Sequence, residues 1–223
     1  MNAPVSRVLP PPAPVHAEGH GKRRIALRYR LHGKGWFQAA RALDMAEKYH
    51  TGIRRSGCPE MSHQIAIATY VYTLTPWLLH PEETVSIALL HDIREDYDIS
   101  DADLRDVFGN FVADGVDAVT KTFGGIDRNP DQVQDAIAHH AGASIVKPAD
   151  RIHNHQTLLG TASPQKIASY LDETTLHVLP VLKSARRRFP EQEPAYENLK
   201  LILLSQVELL RAVIGVEDVG EAE

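Results

Sequence analysis

From Trp36 onward, apolar residues recur at three- and four-residue intervals along most of the chain. Phe37, Ala40, Leu43, Met45 and Ala46 mark one helical face, Ile65, Ile67, Ala68, Val71 and Leu74 a second, and Val85, Ala88, Leu89 and Leu90 a third. No segment alternates with the two-residue period of a half-buried strand, so the pattern predicts an all-α bundle of about eight to ten helices. Start signals agree. Ser100 followed by Asp103 has the spacing of a capping box, and Ser163 followed by Pro164 places a cap residue before proline in the first turn. The helix opening at Ser163 is predicted to run to Arg186, Arg187 and Arg188. A last one, over about 194–213, carries Leu199, Ile202, Leu203, Val207 and Leu210 on one stripe. Pro148 interrupts another periodic stretch, where a helix start or a kink is expected.

The pattern lapses at both ends. Residues 1–25 hold five prolines before Ala17 and read as a flexible Pro-rich tail, or as an arm that docks on a partner subunit. Residues 216–223 read as an acidic tail, which leaves 26–215 as one domain. Hydrophobic residues make up 43% and charged residues 24%, the balance of a soluble globular protein. No apolar run approaches the roughly 20 residues of a membrane span, and the N-terminus lacks the apolar core of a secretory signal, so the expected location is the cytoplasm. A formal charge of -5 gives no overall field to recruit nucleic acid. The basic runs Lys22–Arg30 and Arg186–Arg188 read as solvated faces or as helix C-terminal charges. Cys58 is the only cysteine, which excludes a disulfide framework and a paired-thiolate zinc site. Any metal must be held by histidine and carboxylate.

Four segments concentrate such side chains. The first runs from His50 to His63 and presents Arg54, Arg55 and Ser56 on a turn bounded by Gly52 and Pro59. Guanidinium forks suit phosphate oxygens or the face of a base. The second is His91-Asp92-Ile93-Arg94-Glu95-Asp96, at the end of a strongly apolar helix. Burying His91 beside Asp92 costs several kcal/mol, on the order of what a paired or coordinated partner would restore, and Glu95 shares the face of His91 four residues on. The third is Lys147-Pro-Ala-Asp150-Arg151-Ile-His153-Asn154-His155-Gln-Thr157, where Asp150 and His153 or Asn154 lie one helical turn apart. The fourth, Lys166 to Glu173, offers a phosphate-binding lysine and, at Tyr170, a stacking ring.

Together these residues resemble the hydrolase domain of the RelA/SpoT alarmone family, an HD-superfamily helical fold, over about 36–182. The family pattern is Arg-Lys-Ser-Gly-x-Pro-x-x-x-His-Pro, then His-Asp followed by Glu-Asp, then Leu-Ala-Asp-Arg-Leu-His-Asn. It is matched by Arg54-Arg55-Ser56-Gly57-Cys58-Pro59 with His63, by His91-Asp92-Ile93-Arg94-Glu95-Asp96, and by Pro148-Ala149-Asp150-Arg151-Ile152-His153-Asn154. Phe108-Gly109 and Val119-Thr120-Lys121 are similar to the family's intervening helix pair, which adds Lys121 to the substrate-binding candidates.

The resemblance implies one divalent ion, Mn2+, on His63, His91, Asp92 and Asp150, with Glu95 and Asp96 as catalytic carboxylates. It also implies substrate contacts from Arg54, Arg55, Ser56, Lys121, Asn154, Thr157, Lys166 and Tyr170. The implied reaction is hydrolysis of the 3′-pyrophosphate of (p)ppGpp-like nucleotides by a stand-alone small alarmone hydrolase, because the chain after Leu182 is short for the synthetase and regulatory domains of the long enzymes. The expected partner is a small nucleotide, without nucleic acid or membrane, and a homodimer is compatible with it. Two departures bear on the pocket: Glu60 stands where the family has an aromatic residue, and Gln64 where it has proline. Rival readings are an HD phosphohydrolase for an adenosine alarmone, NADPH or a deoxynucleotide, and a non-enzymatic nucleotide-binding or antitoxin-like protein.

Overall fold

The structure, a computed structural model, describes residues 17–215. They form α1 (Ala17–Gly33), α2 (Phe37–Tyr49), α3 (Met61–Leu74), α4 (Pro81–Leu90), the single turn α5 (Ile93–Asp96), α6 (Asp101–Val119), α7 (Pro130–His139), α8 (Ala143–Leu158), α9 (Pro164–Glu173), α10 (Leu179–Arg188) and α11 (Glu193–Ile214). A π turn over Thr174–Val178 joins α9 to α10 without a break. Setting α5 aside and taking α9 to α10 as one helix, the described residues hold nine long helices, as the periodicity predicts. None of them is long and apolar enough to cross a membrane.

The bundle is organised around α4. Every residue from Thr84 to Leu90 is buried, and the helix packs against α2, α3, α6 and α8. Its first turn carries Pro81, Glu82 and Glu83, a favourable start for the helix dipole. Glu82 does a second task, because its Oε1 accepts hydrogen bonds from Gln38 N at 2.7 Å and Ala39 N at 3.2 Å. It thereby supplies to α2 the N-terminal cap that Trp36 lacks. Ile87, at mid-helix, faces two glycines: a Cβ at Gly115 would lie 2.3 Å from Ile87 Cδ1 and 2.8 Å from His140 Cε1, and one at Gly142 would lie 2.7 Å from the same Cδ1. Gly115→Ala is expected to destabilise the fold by about 1–3 kcal/mol through overpacking. Urea unfolding reads this, and an unchanged midpoint would show that Ile87 can move aside.

Both predicted caps are formed. Ser100 Oγ accepts from Asp103 N at 3.1 Å while Asp103 Oδ2 accepts from Ser100 N, and Ser163 Oγ accepts from Lys166 N at 3.2 Å. Four expectations need correction. The N-terminal tail was expected through residue 25, yet α1 begins at Ala17. Leu27 and Leu31 are fully buried, each worth roughly 1.5–3 kcal/mol, and helix propagation from that anchored half carries the polar start along. Arg28 also ties α1 to α2 through Asp44 at 2.7 Å and Glu47 at 3.2 Å, so the Lys22–Arg30 run is only partly a solvated face. The absence of strands fails locally, because Thr122–Phe123 pairs antiparallel with Ile126–Asp127 across Gly124-Gly125, a hairpin too short to show a period. Of the start or kink expected at Pro148, the start falls away, because α8 begins at Ala143 and carries Pro148 inside it. Residues 1–16 and 216–223, the rest of the two predicted tails, lie outside the described residues.

Candidate metal centre and nucleotide pocket

Three elements deliver four side chains to one place. His63 comes from the first turn of α3, His91 and Asp92 from the end of α4, and Asp150 from the middle of α8, which packs on both. His63 Nε2 lies 3.2 Å from Asp150 Oδ1 and 3.6 Å from Asp92 Oδ2. His91 Nε2 lies 3.1 Å from Asp92 Oδ2 and 3.8 Å from Asp150 Oδ1. Ligand-capable atoms of His63, His91 and Asp92 all fall within 4.8 Å of one another. The two imidazoles are 2% exposed and Asp150 5%, while the Asp92 side chain keeps 28% of its surface open, so the cluster is buried on all sides but that of Asp92.

The tautomers fit a cation. His91 Nδ1 donates to Ala88 O at 3.0 Å, which turns Nε2 to the carboxylates, and that buried atom has no hydrogen-bond partner. His63 Nδ1 is hydrogen-bonded to His153 Nδ1 at 2.8 Å, which likewise commits Nε2 to the cluster. Asp150 is held by Lys147 Nζ at 2.9 Å on Oδ2 and by Asn154 Nδ2 at 2.6 Å on Oδ1. Burial opposes the charge on His91, but Asp92 and Asp150 outweigh it and push its pKa up to about 10. Burial likewise works against Asp92 and Asp150, and neighbouring positive charge still holds both well below the usual carboxylate range. Burial pulls His63 down. Two ionised carboxylates facing two imidazoles therefore demand a positive charge between them. A proton on His91 meets the demand in the bare site, and a divalent cation with a nitrogen and oxygen donor set meets it better.

Glu95 and Asp96 follow in α5. Glu95 Oε1 accepts from the Lys121 backbone N–H. Asp96 opens to solvent, yet packing against protein and the nearby carboxylates of Asp92, Glu60 and Glu95 push its pKa up to about 6.

A cavity of about 410 Å³ is lined by Arg54, Arg55, Ser56, Asn154, Thr157, Lys166 and Tyr170. Seven of the eight substrate-binding candidates thus share one pocket. The turn holding the arginines is closed on itself, with Gly57 N donating to Arg54 O, Arg54 N donating to Cys58 O, and Gly57 at φ +77°. Across the pocket, Lys166 Nζ lies 5.0 Å and Arg151 Cζ 4.8 Å from the centre of the Tyr170 ring. Asn154 joins pocket to metal centre: its Oδ1 accepts from Arg54 Nη2 at 3.2 Å while its Nδ2 donates to Asp150. Lys121 is not brought into this pocket. It lines a separate cavity of about 400 Å³, and its Nζ donates to Glu173 Oε1 at 2.9 Å.

Lys147 and Glu173 were not singled out from the sequence as partners of the site. The three-residue spacing of Lys147 and Asp150 was a usable signal. Nothing local announces Glu173, which meets Arg151 Nη2 at 2.5 Å only because α9 folds back on α8.

No protein-family model matches the chain. Among curated proteins it is similar to a probable GTP pyrophosphokinase of Mycobacterium leprae, 29% identical over 188 residues, which are 79% of this chain and 21% of that protein. A guanosine-3′,5′-bis(diphosphate) 3′-pyrophosphohydrolase of Haemophilus influenzae is 34% identical over 143 residues, 58% of this chain and 20% of that protein. The bifunctional (p)ppGpp synthase/hydrolase SpoT of Escherichia coli is 31% identical over 139 residues, 58% and 19%. The matched stretch spans only about a fifth of these relatives, whose names cover both making and breaking the nucleotide.

Proposed function

We propose that this chain is a RelA/SpoT-type pyrophosphohydrolase of the small alarmone hydrolase kind, which removes the 3′-pyrophosphate from (p)ppGpp-like nucleotides with Mn2+ on His63, His91, Asp92 and Asp150. The observation that carries the reading is Asn154, which bonds at once to Asp150 of the metal cluster and to Arg54 of the cationic pocket. A nucleotide seated on Arg54, Arg55, Lys166 and Tyr170 would extend its 3′ side toward the histidines and carboxylates. Relatives named as 3′-pyrophosphohydrolases support this direction of chemistry.

In the proposed reaction, water attacks the phosphorus carried by the 3′ oxygen, the bond between that phosphorus and O3′ breaks, and pyrophosphate leaves. A divalent ion, when bound, supplies charge that favours the nucleophilic form of water and stabilises the phosphoryl oxygens. Arg54 and Arg55 bind phosphate or base through their guanidinium forks. Tyr170 offers a ring to the base, and Asn154 and Thr157 face the sugar and phosphates. Glu95 takes the proton of the attacking water, and Asp96, whose carboxyl is pushed up to about 6 by packing and the neighbouring carboxylates, returns one to the departing 3′ oxygen.

The test is chromatographic assay of the purified protein with Mn2+ against ppGpp, its adenosine counterpart and NADPH. Wild type is expected to release pyrophosphate from at least one 3′-pyrophosphorylated nucleotide. Asp92→Ala should lose metal and activity together, and Glu95→Ala should keep metal while its rate falls at least 100-fold, on the order of a lost general base. Equal activity in all three proteins rejects the mechanism. Turnover of NADPH alone moves the substrate to the rival nucleotide class.

A further inference from the structure

Helix α8 gives the cluster Asp150 and, one turn further on, an imidazole that is not among the four proposed ligands. His153 Nδ1 lies 2.8 Å from His63 Nδ1, with the two ring centres 4.8 Å apart. Two ring nitrogens at that separation share one proton, so one ring donates and the other accepts. The direction of this bond decides whether His63 can hold a cation, because a neutral imidazole carries a single N–H. If His153 donates, the proton of His63 sits on Nε2, which faces Asp150 Oδ1 at 3.2 Å and Asp92 Oδ2 at 3.6 Å, and the lone pair needed there is lost. If His63 donates, Nε2 is bare and turned to the same carboxylates.

We propose that His153 is a positioning residue for the metal centre: it accepts the Nδ1 proton of His63, carries its own proton on Nε2, and so keeps His63 in the tautomer that can coordinate. The role presupposes the metal reading of the cluster and is independent of which nucleotide is cleaved. Three features favour it over a chance contact of two rings. His63 is 2% exposed, and among the described residues no other hydrogen bond reaches its Nδ1, so bulk water is no substitute acceptor. His91 shows the same arrangement in a form that cannot reverse, since its Nδ1 meets the carbonyl of Ala88, which only accepts. At His63 the partner is a ring able to donate or accept, so the side chain at 153 settles what a carbonyl settles at His91. Finally, Asp150 and His153 stand three residues apart on α8, so one rigid helix carries both a proposed ligand and the support of another from α3.

Titration of the full chain with Mn2+, with the unbound ion followed by electron paramagnetic resonance, tests the role without any substrate. Asn and Leu branch alike at Cγ, but Asn places an acceptor oxygen where His153 has Nδ1 and Leu places a methyl group. His153→Leu is expected to bind Mn2+ about 10–100-fold more weakly than wild type, and His153→Asn to recover most of that loss, with circular dichroism confirming that each is folded. Long-range proton–nitrogen spectra of wild type loaded with Zn2+, a diamagnetic stand-in, should place the His63 proton on Nδ1 and the His153 proton on Nε2. A folded His153→Leu protein with wild-type affinity overturns the proposal, as does His153→Asn binding as weakly as His153→Leu. The opposite pair of tautomers in the spectra overturns it without any variant. Wild type that takes up no Mn2+ removes the metal centre itself, an outcome distinct from these.

Discussion

Asp150→Asn is expected to reduce pyrophosphohydrolase activity by on the order of 10³-fold or more, equivalent to about 4 kcal/mol of barrier. The reason lies in how many groups converge on that one carboxylate. Its Oδ1 lies within 3.8 Å of both imidazole Nε2 atoms and accepts from Asn154, while its Oδ2 takes the Lys147 ammonium. The amide keeps the shape and removes the charge, so two imidazoles then face one carboxylate, Asp92, in a buried site. A second readout is independent of the substrate. Mn2+ at 100 times its dissociation constant raises wild-type stability by about 2.7 kcal/mol through mass action, and the part due to this centre should vanish in the variant. A variant that keeps a tenth of the wild-type rate and the full Mn2+-dependent rise in melting temperature would contradict the role given to Asp150.

Glu173→Gln is expected to cost about 2–3 kcal/mol of stability at neutral pH, although residue 173 lies on no part of the cluster. Arg151 is 2% exposed, and its Nε and Nη1 have no hydrogen-bond partner. Its charge therefore leans on the Tyr170 ring and on Glu173 Oε1, which also receives Lys121 Nζ. Neutralising Glu173 leaves a buried guanidinium without its anion. The figure sits below the range for fully buried pairs because the Glu173 side chain is 36% exposed and partly screened.

The acid limb follows from the same contact. Burial opposes ionisation of Glu173, but Arg151 and Lys121 prevail and hold its pKa near 2, below the ordinary 4.5. A carboxylate whose folded-state pKa is depressed contributes fully above pH 4.5, and the contribution drains away as pH falls toward 2. Urea unfolding of both proteins at pH 7 and pH 3 should show a gap that narrows in acid. Coincident midpoints at pH 7, or a gap that widens in acid, would count against the pair.

The helical faces of α3 and α4 and the caps at Ser100 and Ser163 were legible in the sequence because each depends on residues within one or two turns. The gathering of His63, His91, Asp92 and Asp150 was legible only through the order of three motifs, since α3, α4 and α8 become neighbours through packing. What escaped has tertiary causes. The polar start of α1 is helical because Leu27 and Leu31 are anchored further along it. The π turn seats Thr174 so that its Oγ1 lies 2.9 Å from His155 Nε2, a match no local preference encodes. Lys121 fell outside the pocket because the Gly124-Gly125 hairpin folds its segment toward Glu173 instead. Glu60 looked like a perturbation of the pocket, and its contacts with His50 and Tyr97 emerge only when the Gly52–Pro59 turn closes.

The glycine seats around Ile87 reach further than core packing. With Gly115 on one side and Gly142 on another, the central helix is keyed like a shaft in a slot: sliding it or turning it would drive a methyl group into backbone. His91 sits one turn beyond that key, so its height and heading are machined by residues that never meet a ligand. Such tolerance, within about 0.5 Å, is what a coordinating constellation needs. A variant that relaxed either seat would blur the centre while leaving every coordinating side chain in the sequence.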